Sequence, residues 1–122
     1  MPTPRTQLGT RGEELARRFL QQNGYEILEC NYRCRWDEID IVAQDGDEVV
    51  FLEVRSRRSA GYGTPEESLT AAKLRRLLAN AQHYLQQRGK GEFNWRIDLV
   101  SVRLGRDYRL QRIEHLKHAV QL

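Results

Sequence analysis

The 122-residue sequence is poor in the features that mark secreted and membrane proteins. It has only two cysteines, which are too few for a disulfide framework or a four-cysteine zinc site. No apolar run approaches the length of about 20 residues that spans a bilayer, and the first residues lack the apolar segment of about 7–15 residues found in a secretion signal. These absences predict a cytoplasmic protein with reduced thiols and no membrane partner.

Lysine is also scarce, since arginine supplies all but three of the 20 basic residues, within a formal net charge of +3. Arginine presents a planar fork of donors that suits phosphate oxygens, which favours a nucleic-acid partner. A GC-rich genome also enriches a protein in arginine. The charge therefore permits a nucleic-acid partner without requiring one.

The composition that remains is typical of one globular domain. Hydrophobic residues make up 39% of the chain and charged residues 30%. This balance and the chain length suit a single compact domain. Two prolines and a glycine near the start predict a loose tail over residues 1–9, so we expect the domain to cover residues 10–122.

Hydrophobic spacing predicts the order of helices and strands. A first helix is expected from Thr10 to the stop signal at residues 23–24, followed by strands over residues 25–30, 38–43 and 49–55. The capping-box sequence TPEE at residues 64–67 predicts a second helix that continues to about Arg88. Further strands are expected over residues 95–102 and 108–113, with a short helix from Glu114. This order predicts an α/β domain with a mixed sheet flanked by helices.

Two acidic residues lie inside apolar strands. Asp40 stands between two isoleucines, and Glu53 stands near the end of the run VVFLEV. An uncompensated buried carboxylate is costly, so two of them on consecutive strands need a shared explanation. A divalent cation supplies one, because hard cations prefer carboxylate oxygens.

Strand geometry suggests how these acids meet. Alternate side chains of a strand share a face, so Glu53 and Arg55 project together. If Asp40 points to the same face, both carboxylates can bind one ion. The Leu52 carbonyl would be a further ligand, and Glu13 of the first helix would complete the coordination shell. The alternative is that each acid pairs with an arginine and is only structural.

Several short motifs together resemble the YraN-like family of uncharacterised bacterial proteins, over about residues 8–120. They are GEELA at 12–16, NGY at 23–25, NYR at 31–33, EIDIVA at 38–43, FLEVRSR at 51–57 and RIDLV at 96–100. That family is similar to PD-(D/E)XK nucleases and to archaeal Holliday-junction resolvases. The resemblance implies a restriction-endonuclease-like αβββαβ core, Mg²⁺ or Mn²⁺ as cofactor, hydrolysis of phosphodiester bonds in DNA, including branched or junction DNA, and a homodimer.

The resemblance also implies roles for residues. It makes Glu13 the helical acid, Asp40 the first sheet ligand, and Glu53 with position 55 the E-x-K element. Position 55 departs from that element because it is Arg55, and arginine stays protonated and cannot act as a base. Arg55 can still offset negative charge in the transition state. Lys73 on the second helix is an alternative source of the lysine, unless it is only a solvated helix residue.

Four arginines are candidate phosphate contacts, although they also suit a solvated basic face: Arg57, Arg58, Arg75 and Arg76. No base-reading motif is visible, so we expect recognition of backbone and shape. Three functions stay open at this point. They are a metal-dependent endonuclease, a non-catalytic nucleic-acid-binding domain that keeps the nuclease fold, and a protein-interaction domain whose acids are structural.

Overall fold

The computed structural model describes residues 4–34, 38–58, 69–89 and 94–119, with side chains from residue 7 onward. Its elements follow in the order α1 (Pro4–Gln22), β1 (Glu26–Arg33), β2 (Glu38–Asp45), β3 (Glu48–Arg57), α2 (Ala71–Gln87), β4 (Asn94–Leu104) and β5 (Leu110–Leu116). The first six elements are the restriction-endonuclease-like αβββαβ core. The predicted α/β fold is therefore confirmed.

The five strands form one mixed sheet in the order β1-β2-β3-β4-β5. Neighbouring strands are antiparallel except β3 and β4, which are parallel. Parallel neighbours need a long crossover, and α2 lies within the connection between these two strands. Gly46, with a φ of 60°, lies in the tight turn between β2 and β3.

Both faces of the sheet are buried, and each face packs against one helix. On the α1 face, Leu15, Ala16 and Leu20 pack with strand residues such as Ile41 and Val100. On the α2 face, the buried cluster includes Leu77, Ala81, Tyr84, Leu85, Val42 and Phe51. Neither of the two described helices is long and apolar enough to cross a membrane.

Two predicted helix starts are wrong. Helix α1 begins at Pro4, so residues 4–9 belong to a helix and not to a loose tail. Helix α2 begins at Ala71, because Thr70 has an extended backbone and its hydroxyl caps the helix by accepting a hydrogen bond of 3.1 Å from the Lys73 N–H. The capping box predicted at residues 64–67 lies outside the described residues.

The predicted C-terminal helix is also wrong, because β5 continues to Leu116. Glu114 pairs with Ser101 of β4, and His115 pairs with Val100. His115 is nearly buried and contacts Asp98, a contact that the strand conformation makes possible. Long-range pairing with β4 therefore overrides the weak helical pattern of this segment.

Arg96 is the centre of a buried polar network between β4 and the β2–β3 turn. Its side chain is only 4% exposed, and its Nε donates to both carboxylate oxygens of Asp98 at 3.1 Å. Its other nitrogens donate to the Tyr25 hydroxyl at 2.8 Å, to Asp45 at 3.0 Å and to Glu48 at 2.7 Å. One guanidinium thus joins the start of β4 to the start of β1 and to both ends of the turn.

Asp98 is fully buried and stays charged within this network. Burial opposes its ionisation, but the hydrogen bonds from His115 and from the His118 backbone N–H, together with the charge of Arg96, outweigh that effect and hold its pKa below the usual range. The buried carboxylate that burial alone would neutralise is therefore compensated by its partners.

Gly12 allows α1 to approach β3 closely. A Cβ atom at this position would lie 1.7 Å from Ser56 Oγ and 2.8 Å from Ser56 Cβ. We therefore expect Gly12→Ala to destabilise the fold by about 1–3 kcal/mol, which is the usual effect of overpacking. Urea denaturation followed by circular dichroism measures this loss.

Ser56→Gly provides the matched control for this prediction, because it removes the atoms that the new methyl group would meet. Adding Gly12→Ala to Ser56→Gly is expected to cost far less than adding it to the wild type. An equal cost in both backgrounds would show that the contact with Ser56 is not the cause.

Candidate functional site

Strand β2 breaks its alternation at Asp40. Ile39 belongs to the buried cluster on the α2 face, whereas Ile41, two residues further on, belongs to the cluster on the α1 face. The pairing of β2 with β3 begins at Ile41, which lies opposite Leu52. At the break, Asp40 Oδ2 accepts a hydrogen bond of 2.8 Å from the backbone N–H of Val54. The carboxylate thus takes the place of a backbone acceptor where β2 and β3 separate.

Three carboxylates meet at this break. Glu13 of α1 and Glu38 and Asp40 of β2 each offer an oxygen, and these oxygens all lie within 4.8 Å of one another. All three residues are partly buried. Carboxylate oxygens are the ligands that Mg²⁺ and Mn²⁺ prefer in proteins. The donor set therefore fits a hard divalent cation, which these three residues would hold.

Burial and mutual repulsion raise the pKa of two of these acids. Burial, with the charges of Asp40 and Glu38, raises the pKa of Glu13 to about 7. Burial also raises the pKa of Asp40, helped by Glu38 and opposed by the hydrogen bond from Val54 and the charge of Lys73. Crowded carboxylates of this kind are stabilised in their charged form by a cation.

The raised pKa of Glu13 has a consequence for the metal-free protein. Its protonated form contributes stability that is fully present below the ordinary glutamate value of 4.5 and is lost as the pH rises through about 7. Glu13→Gln keeps a neutral side chain at every pH. We therefore expect Glu13→Gln to raise the melting temperature by about 2–5 °C at pH 8 and by much less at pH 5.

Differential scanning calorimetry in EDTA at the two pH values measures this difference. Glu14→Gln is the matched control, because Glu14 is the neighbouring acid on α1 and is paired with Arg11 and Arg18 at the surface. A gain from Glu13→Gln that is equal at both pH values would contradict the assignment of the titration to Glu13.

Glu53 is buried beside two cationic side chains. Its Oε1 lies 3.4 Å from Arg55 Nε, and its Oε2 lies 3.8 Å from Lys73 Nζ. Lys73 comes from the first turn of α2 and is only 15% exposed, so it is not a solvated helix residue. Its charge also lowers the pKa of Asp40. Lys73 therefore acts on both of the sheet acids singled out in the sequence.

The structure groups the predicted acids differently from the sequence. Asp40 meets Glu13, as predicted, but the third carboxylate within 4.8 Å is Glu38 and not Glu53. Leu52 is fully buried and pairs with strands on both sides. Binding of the ion by Glu53 and by the Leu52 carbonyl stays a prediction.

Of the four predicted phosphate contacts, Arg57 and Arg58 lie at and just after the end of β3, and Arg75 and Arg76 lie on α2. Arg57 ends β3 and is partly buried, whereas Arg75 and Arg76 are exposed on α2. The Arg58 guanidinium stacks 4.5 Å from the centre of the Tyr108 ring, so it already has a protein partner. Phosphate binding by these arginines stays a prediction.

Sequence reasoning missed two polar residues of the site. Glu38 and Asp40 are two apart, a spacing that in a regular strand places both on one face and that gave a usable signal. Asn31 has a φ of 54°, and its side chain hydrogen-bonds Glu13. Asparagine tolerates this left-handed conformation better than most residues. The local sequence gives no signal for the role of Asn31, because its partner Glu13 comes from another element.

Fold and site together define a restriction-endonuclease-like α/β domain with three carboxylates gathered where two central strands separate. The chain belongs to the uncharacterised protein family UPF0102, whose family model matches residues 12–102. This result confirms the predicted YraN-like family.

Relatives from several bacteria match most of the chain. A UPF0102 protein of Moorella thermoacetica is 45% identical over 119 residues, covering 98% of this chain and 99% of the relative. One from Pelotomaculum thermopropionicum is 42% identical over 119 residues, with the same coverage. One from Desulfitobacterium hafniense is 46% identical over 104 residues, covering 84% of this chain and 86% of the relative.

Proposed function

We propose that this protein is a metal-dependent endonuclease that hydrolyses phosphodiester bonds in DNA, with branched or junction DNA as its substrate class. One observation carries the proposal: the oxygens of Glu13, Glu38 and Asp40 lie within 4.8 Å of one another at a break in the central sheet. Two partly buried cationic side chains, Arg55 and Lys73, stand beside the neighbouring acid Glu53. Acids that hold a cation next to fixed positive charges suit the hydrolysis of a phosphate ester.

The cofactor would be Mg²⁺ or Mn²⁺, held by these three carboxylates. When bound, such an ion lowers the pKa of a water molecule and offsets charge on the phosphate. The chain contributes the positioning. The Val54 N–H fixes the orientation of the Asp40 carboxylate, and the Asn31 side chain favours the charged form of Glu13 by lowering its pKa.

The cationic residues supply the remaining roles. Lys73 Nζ, beside Glu53 Oε2, would orient the attacking water. Arg55 stays protonated, so it would offset the negative charge that develops on the phosphate and would not accept a proton. Arg57, Arg58, Arg75 and Arg76 would contact neighbouring phosphates, which binds the backbone without reading bases.

Isothermal titration calorimetry with Mn²⁺ at pH 8 tests the metal site. We expect wild-type protein to bind Mn²⁺ and Glu38→Gln to weaken that binding by about 10–100-fold or more, because one charged ligand is lost. Glu29→Gln is the matched control, since Glu29 lies on β1 and is paired with Arg88. Absence of Mn²⁺ binding by the wild type, or equal binding by Glu38→Gln, would contradict the proposed site.

A non-catalytic nucleic-acid-binding domain is the second candidate. It is favoured by one observation, that the position expected to hold lysine is Arg55 and is ion-paired with Glu53. This candidate predicts that branched DNA binds but is not cut with Mn²⁺. It also predicts affinity that falls steeply with salt, because phosphate contacts release counterions.

A further inference from the structure

Strand β5 is an edge of the sheet. Among the described strands it pairs only with β4. Its pairing with β4 is regular from Arg112 to Leu116, and a register shift separates this stretch from Leu110. The opposite edge, β1, carries a register shift near its middle, at Leu28, and a left-handed residue at Asn31. A regular edge offers a row of backbone donors and acceptors to another strand, and an irregular edge discourages this.

The sequence of β5 is complementary to itself. Read as LQRIEHL, it has Ile113 at its centre, Arg112 and Glu114 on either side, and leucines at both ends. In an antiparallel pair centred on Ile113, Arg112 of each copy lies opposite Glu114 of the other.

Other registers that keep a two-fold axis on a neighbouring residue are unfavourable. Centring the pair on Arg112 places two arginines opposite each other, and centring it on Glu114 places two glutamates opposite each other. Like charges directly opposite in a ladder are destabilising. The charges therefore select the register centred on Ile113.

The side chains that this pairing would use are available. Ile113 packs against the buried cluster on the α1 face, and His115, two residues on, contacts Asp98. Arg112 and Glu114 alternate with them, are 63% and 34% exposed, and form an ion pair with each other at 2.9 Å. In the paired strands the four charges of the two copies would alternate in sign along one face. Leu110, at 46% exposed, is the large hydrophobic residue left at the surface among the described residues. A second strand placed here would cover it.

We infer that β5 pairs antiparallel with β5 of a second copy of this chain, centred on Ile113, to form a symmetric dimer with a continuous ten-stranded sheet. The pairing is isologous, since the same residues contribute from both copies. It rests on the edge position and charge pattern of β5, and it does not depend on the proposed activity.

Sedimentation equilibrium from about 1 to about 200 μM protein tests this inference. We expect wild type to dimerise in this range. Glu114→Arg and Arg112→Glu each place like charges opposite each other, so each is expected to raise the dimer dissociation constant by about tenfold or more. The double variant Arg112→Glu, Glu114→Arg restores opposite charges and is expected to restore the dimer.

Arg109→Glu is the matched control, because Arg109 is an exposed arginine paired with an acid two residues away but lies in the turn before β5. It is expected to leave the dimer intact. A wild type that stays monomeric at the highest concentration overturns the inference. Dimers that persist in both single variants, or a double variant that stays monomeric with an unchanged melting temperature, also overturn it.

Discussion

Asp40→Asn is expected to reduce Mn²⁺-dependent cleavage of branched DNA by on the order of 10³-fold or more. Asparagine has nearly the same shape as aspartate, and its side-chain oxygen can still accept the hydrogen bond from the Val54 N–H. The substitution therefore removes the charge but keeps the bond that holds β2 beside β3. Cleavage is measured on a labelled four-way junction, with linear duplex for comparison.

Asp107→Asn provides the control with the same chemical change. Asp107 also accepts a hydrogen bond from a backbone N–H, that of Arg109, but it lies in the exposed turn between β4 and β5. It is expected to leave cleavage unchanged. If Asp40→Asn protein cuts as fast as wild type, the activity belongs to a contaminant or to another site, and the proposed function fails.

The second large effect concerns stability. Arg96→Met is expected to destabilise the protein by about 3–5 kcal/mol, because it leaves the fully buried Asp98 carboxylate without its guanidinium partner. For a domain of this size, that loss corresponds to a fall in melting temperature of about 10–20 °C. Urea denaturation in EDTA measures it without any contribution from bound metal.

Arg18→Met is the control for this substitution. Arg18 is ion-paired with Glu14 one helical turn away but is 62% exposed, so its loss is expected to cost well under about 1 kcal/mol. A similar cost for both variants would show that burial of the Arg96 network has no special importance.

The same network gives the Arg96→Met effect a pH dependence with a definite sign. The pKa of Asp98 is lowered in the folded protein, so the stability that its charge contributes is present above the ordinary aspartate value of 3.8 and is lost as the pH falls below it. The difference between wild type and Arg96→Met should therefore shrink in acid. A difference that is constant from pH 7 to pH 3 would contradict this account.

The order of the elements could be predicted because it follows from local signals. Gly24 marks the end of α1 and Gly46 marks the turn between β2 and β3, and both glycines adopt positive φ. The start of α2 at Ala71 could not be predicted in the same way, because the sequence does not show the extended backbone with which Thr70 caps the helix.

The candidate site was predicted in part for a similar reason. Asp40 and Glu53 were visible as charges within apolar runs, and Glu13 came from the resemblance. Their grouping depended on the assumption that β2 alternates regularly through Asp40, and the strand changes face there. The contact made at this change of face comes from the Val54 N–H on the next strand, which no local pattern in β2 reveals.

The buried network around Arg96 could not be predicted at all from periodicity. Arg96 and Asp98 look like ordinary strand charges next to a hydrophobic run. Their burial depends on Tyr25, Asp45 and Glu48, which are distant in sequence and brought together by the parallel pairing of β3 with β4. Charges that are compensated by partners from other elements produce no periodic pattern in the sequence.

The candidate site draws on both layers of the molecule at once. Glu13 arrives from the helix on one side of the sheet and Lys73 from the helix on the other, while Asp40 sits in the gap between two strands. A nascent or partly melted chain, in which either helix has not docked, holds these groups apart. If the protein has the proposed function, hydrolysis would require both helices to be docked, so incompletely folded copies would leave nucleic acid uncut.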